Sequence, residues 1–534
     1  MSFRSVFCAG VSALVLAMPV MAQVEEGGLD AIDPWGLGFL EPGEGALPSG
    51  MWNASRAEDL LPMMRSVRTH ALTPAERTLL RRVVLSPAEK PDGDKADTVL
   101  AQRARIMYQL GEAAAAAELM ARLDKPPQGM DAEALAADLQ LALGNQAAAC
   151  GELTKPDRTD GYWAKLRAVC AVLQGNDSGA ELAIELAQTQ GVYDAWLFSA
   201  IYAATGDTQG RPLARFDSGL NLALSTKVEL TPPINAVSVS RPDLAAAMAT
   251  RTSLPSDLRV QAAGVAAQAS LLSAADHRAT YEALFQEEGY TAGSPLEVAL
   301  FGMRNPAAPN AAKSRMLAAA LRSAAGDAAR FAAVSRLVQT DIESLPQGAD
   351  TARQALMFAR ASLAAGDASA AASWSGATEY EGVPSPDRFE AAWIDGLVIL
   401  GGGDASPASV EAVTTRLVEA AQGRNRRRAA GKLFALWAAF GITPPAEARA
   451  LMNAQSDAGT RRLNSWNVMA AKAAADGDAA GEAILQILGF TKGDPTQLAV
   501  TDLTILIAAL REIGADDAAR VLALEATGYW KASL

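Results

Sequence analysis

Tyr108-Gln109-Leu110-Gly111-Glu112-Ala113-Ala114 and Leu141-Ala142-Leu143-Gly144-Asn145-Gln146-Ala147 are two copies of one phrase: an apolar helical tail, a glycine, an acidic or amide residue, then small residues. It returns at Leu173-Gln174-Gly175-Asn176-Asp177 and at Ala203-Ala204-Thr205-Gly206-Asp207. These glycines stand 33, 31 and 31 residues apart. A second run, Gly326, Gly366, Gly403, Gly441, Gly477 and Gly514, advances in steps of 40, 37, 38, 36 and 37. A glycine just past a helix adopts the left-handed conformation without a Cβ clash and satisfies the last carbonyls. An Asp or Asn after it suits the N-cap of the next helix. Each phrase therefore reads as a helix–turn–helix corner. Corners repeated at a fixed period in the thirties predict an all-α fold, an α-solenoid of antiparallel helix pairs.

The corner Leu-Gly-Asn/Asp-x-x-Ala resembles that of tetratricopeptide-type repeats. The aromatic positions of that family do not recur here, and the second ladder has a longer period. What the resemblance implies is a scaffold for binding other proteins.

The composition fits an array. Half of the 534 residues are hydrophobic, yet only 6% are aromatic, and alanine supplies the difference. Alanine is the best helix former and permits close helix packing. A net charge of −13 speaks against nucleic acid as a partner.

The first 22 residues read as a signal peptide: Arg4 supplies a basic start, Val6–Met18 an apolar core, and Val20-Met21-Ala22 a cleavage site before Gln23. No later stretch has about 20 uninterrupted apolar residues, so no transmembrane segment is expected after cleavage. The destination implied is a bacterial periplasm, with secretion as the lesser option. Past the signal only Cys150 and Cys170 remain, and an even pair in an oxidising compartment predicts a disulfide.

Five stretches follow. After the signal peptide (1–22), residues 23–55 form an extended Pro/Gly-rich arm carrying Trp35, Phe39, Leu40 and Trp52. Its aromatics are read as docking on the first repeats, with Trp35 and Trp52 as candidates for contact with a partner instead. Residues 56–208 are a first repeat segment, 209–255 an irregular Pro-rich hinge, and 256–534 a second repeat segment. Thr73-Pro74-Ala75-Glu76, Ser86-Pro87-Ala88-Glu89 and Ser294-Pro295-Leu296-Glu297 each read as a capped helix start.

No residue set specifies a reaction, a cofactor or a metal. The two histidines, His70 and His277, sit in no metal-binding spacing, and no nucleophile elbow or phosphate loop occurs. One charge cluster stands against the acidic background: Arg424, Arg426, Arg427 and Arg428, with Arg461 and Arg462 one repeat later. Stacked repeats would bring equivalent positions together as a patch for an acidic partner. The expectation is a non-enzymatic periplasmic scaffold or adaptor for other envelope proteins. The alternatives are a cell-wall-acting enzyme or enzyme subunit built on a helical superhelix, similar in that general sense to lytic transglycosylases, and a carrier or chaperone for an apolar ligand.

Overall fold

The computed structural model of the protein describes residues 33–531, apart from 41, 156, 157, 159, 160, 207–209, 238–240, 457 and 458. The expected signal peptide and the first part of the arm lie outside the described residues. Among those residues there are 26 α-helices and no strand. Helices pack chiefly on their sequence neighbours: Gly161–Leu173 on Asp177–Thr189, Pro295–Met303 on Asn310–Ala324, and Ala355–Ala365 on Ala368–Gly376. The fold is an α-solenoid of helix pairs.

The recurring phrase makes the corners. Gly111 (φ 89°), Gly144 (φ 86°), Gly175 (φ 71°), Gly366 (φ 88°), Gly441 (φ 78°) and Gly514 (φ 69°) are left-handed. At the first of them Glu112 N–H donates to Met107 O (2.9 Å) and Gly111 N–H to Tyr108 O (3.1 Å), the paired bonds of a Schellman turn. Asn176, Asp327 and Asp367 then cap the following helices, accepting from Gly179, Arg330 and Ala370 N–H at 3.0, 2.8 and 2.8 Å. Three corners are built differently. Gly402 takes the positive φ in place of Gly403, and Asp478 takes it in place of Gly477, while neither Gly326 nor its neighbours do. Asp tolerates this conformation because its short polar side chain hydrogen-bonds locally.

Two of the three predicted helix starts hold. Thr73 and Glu76 form a reciprocal capping box, and Ser294 accepts from Glu297 N–H. Ser86 instead ends the Pro74–Leu85 helix, and residues 87–92 form no helix. The cause is the arm, which claims the backbone there: Ala88 N–H donates to Trp35 O (3.0 Å) and Glu89 N–H to Ser49 O (2.8 Å). Arg103, 1% exposed, binds the carbonyls of Val84, Ser86 and Leu37 at 2.8, 2.6 and 2.8 Å and so rivets arm to helix.

The stretch 209–255, read above as a hinge, carries two helices, Gly219–Lys227 and Pro242–Thr250. Pro242 sits at the first helical position, where its missing N–H costs nothing. The stretch is clamped to the first ladder, since buried Asp138 accepts from Gly219 N–H (2.8 Å) and Leu220 N–H (2.9 Å). A Cβ on Gly219 would fall 1.7 Å from Asp138 O, so only glycine permits this approach. Most buried apolar residues between Ala134 and Ala266 share one hydrophobic cluster, while a larger one joins Trp35 to Trp530 and takes in Leu135 and Val260.

That larger cluster exists because the first helices pack on the last. The Pro74–Leu85 helix lies against Ala480–Thr491 and Asp516–Thr527. Ala75 N–H donates to Glu525 Oε1 (2.9 Å), and Gly493 N–H to Glu76 Oε1 (2.9 Å). Arg360, buried, donates to Lys531 O (2.8 Å). Trp52 fits a site that only glycine leaves open: a Cβ on Gly481 would fall 2.3 Å from its ring.

Candidate functional site

The Arg424–Ala439 helix opens with four arginines and no acid in its first turn. Cations at a helix N-terminus oppose the helix dipole, so helix stability does not account for them. The structure separates their roles. Arg424 and Arg427 are exposed. Arg426 pairs with Asp387 (2.9 Å) and stacks over Phe389, 5.2 Å from the ring centre. The backbone N–H of Glu390 chiefly, and then that bond, hold the Asp387 carboxyl below the usual carboxylate range. Arg461 donates to Thr491 O (3.2 Å), while its backbone bonds to Gln497 O (2.7 Å) and Ala499 N–H (3.0 Å).

Arg428 and Arg462, 34 residues apart, line one cleft between the Arg424–Ala439, Ala446–Asn453 and Val500–Glu512 helices. Its volume is about 790 Å³, within the range of ligand pockets. Lys432 joins them, one turn after Arg428 on the same helix face, and donates to Thr496 O (3.1 Å). The floor is apolar, with Ala435, Ala438, Ala439, Met452 and Val500, and Ser456, Thr501 and Thr504 add hydroxyls. Among the described residues that line this cleft three are cations and none is a carboxylate, in a chain with 60 acidic and 47 basic residues. Burial pushes the Lys432 ammonium down to about 8; Arg428 and Lys531 add to this and Asp494 opposes it. An anion entering the cleft would favour the charged form of Lys432, whose ammonium is desolvated and repelled by Arg428. Sequence reading missed Lys432. The signal was its i, i+4 spacing from Arg428, which sets both on one face.

Trp35 and Trp52, candidates for partner contact, are 2% and 1% exposed. Both indoles are spent inside the chain's own core and offer a partner no surface. Phe39 and Leu40 also pack on that core. The arm docks beyond the first repeats as well, because Trp52 seats against Gly481 and Met51 O accepts from Gly481 N–H (3.2 Å). Cys150 and Cys170 are joined in a disulfide with Cα atoms 5.8 Å apart, tying the Gln146–Gly151 helix to Gly161–Leu173. Among the described residues no helix is long and apolar enough to cross a membrane.

No family model, curated protein or solved structure matches the chain.

Proposed function

We propose that this chain is a non-enzymatic, tetratricopeptide-like scaffold of the bacterial periplasm that holds other envelope proteins through an acidic segment seated in the Arg428–Lys432–Arg462 cleft. The observation that carries the reading is the gathering of three cations, Arg428, Lys432 and Arg462, on one cleft wall in a protein of net charge −13. The apolar floor suits the side chains that flank an acidic segment. The periplasmic part is supported by the amino-terminal Arg4–Ala22 pattern and, more weakly, by the disulfide.

The test is crosslinking in intact cells with a photoreactive residue at Thr504, on the cleft wall. Discrete adducts with envelope proteins are expected. Arg428→Glu with Arg462→Glu should abolish them, and raising salt from about 0.05 to 0.5 M should weaken capture by purified protein, since screening shortens the reach of the cations. Adducts that persist in the charge-reversed variant would refute the cleft. Absence of any adduct would refute the scaffold.

A further inference from the structure

Where the two ends of the described chain meet, a second cavity of about 890 Å³ opens. Its wall is assembled from distant stretches: His70 and Arg77 near the start, Gln268 and Asp327 in the middle, Asp494 and Lys531 near the end. Arg77 is anomalous. It is half-buried, its Nη1 atom is enclosed without a hydrogen-bond partner, and no carboxylate lies within ion-pair distance among the described residues. Burial pulls its pKa down, and Arg81 adds to that. The carboxylate that acts on it, Glu112, is already paired with Arg81 at 2.6 Å. The two acids on the cavity wall are in use as well: Asp327 accepts from Arg330 N–H (2.8 Å) and Asp494 from Thr496 N–H (3.1 Å).

A half-buried guanidinium with one nitrogen unsatisfied and no ion pair costs stability, and a native fold that keeps one calls for an explanation. Arg is also the side chain whose planar fork best matches a carboxylate or phosphate. We propose that this cavity binds a small ligand bearing an oxyanion, whose anionic group pairs with Arg77 and Lys531 while Gln268 and His70 meet its polar body. Because the wall exists only when first, middle and last helices are in place, bound ligand ties the ring of helices shut. The site shares no lining residue with the cationic cleft, although its Lys531 and Asp494 act on Lys432 there.

The experiment is thermal melting and calorimetric titration of the full chain with inorganic phosphate and with succinate, against sodium chloride of equal ionic strength. One of the two anions should raise the melting temperature by about 2 °C or more at a hundredfold excess over its Kd, and the one that does identifies the oxyanion. Arg77→Met removes the unpaired charge, so its ligand-free form should melt no lower than the parent, while anion binding falls at least about tenfold. Lys531→Met should weaken binding less and serves if the first variant does not fold. No response to either anion, or a response equal to the parent's in both variants, overturns the proposal.

Discussion

Glu525→Gln should change how stability depends on pH. Glu525 is 1% exposed; one carboxyl oxygen accepts from Ala75 N–H, and the other has no partner. Burial pushes its pKa from 4.5 up to about 8, and the neighbouring Glu76 adds to this. Between those two values the folded protein keeps a proton that the unfolded chain has released. Stability from this group is therefore full below about pH 4.5 and lost as pH rises towards 8. The slope is about 1.4 kcal/mol per pH unit, and the whole window is worth about 4–5 kcal/mol. Glutamine keeps the acceptor for Ala75 N–H and does not titrate. Urea unfolding at pH 5.0, 6.0, 7.0 and 7.5 should find the variant near the parent at pH 5 and more stable by about 3 kcal/mol at pH 7.5. Parallel profiles for the two proteins would refute the assignment of a proton to Glu525, and with it the account of how the first and last helices are joined.

His277 has the opposite sign. It is 2% exposed, neither ring nitrogen has a partner, and burial next to Arg336 and Arg278 pushes its pKa from 6.5 down to about 4. Stability falls as pH drops through that window, by about 3 kcal/mol in all. His277→Phe, which keeps a ring beside Tyr281, should remove that loss, so the difference in unfolding free energy between variant and parent should grow in the variant's favour by about 3 kcal/mol from pH 6.5 to pH 4; a difference that does not change with pH counts against the reading. Between about pH 4.5 and 6.5 the two groups should nearly cancel in the parent. Cys150→Ser with Cys170→Ser releases a loop with a sequence separation of 20, worth about 3 kcal/mol. Protease cleavage between 151 and 169 should accelerate in the variant, and an unchanged digestion pattern would show that packing alone holds these helices.

How much was legible depended on the range of the interaction. The corners at Gly111, Gly144 and Gly175 could be read because a glycine and a cap act within about six residues. The two shifted corners could not. At these corners the positive φ falls on Gly402 beside Gly403 and on Asp478 beside Gly477, and the phrase alone does not choose between neighbours that both tolerate it. The capping pattern at Ser86 misled for a non-local reason, since its helix never starts where the arm takes the backbone amides of Ala88 and Glu89. The six arginines look alike in sequence. Packing assigns Arg426 to Asp387, Arg461 to a backbone carbonyl, and Arg428 and Arg462 to a cleft.

By itself the sequence determined that the chain is helical, paired and periodic, because alanine content, caps and glycine corners are satisfied by neighbours in the chain. Tertiary structure alone decided that the first helices close on the last, with Ala75 and Glu525, 450 residues apart, sharing a hydrogen bond. The same closure buried Trp52 against Gly481, and docking of the arm on the first helices buried Trp35. No local pattern encodes such pairings. They arise because an array with apolar faces left at both ends lowers its free energy by joining them, and the partner each residue meets is set by where the solenoid's curvature brings those ends.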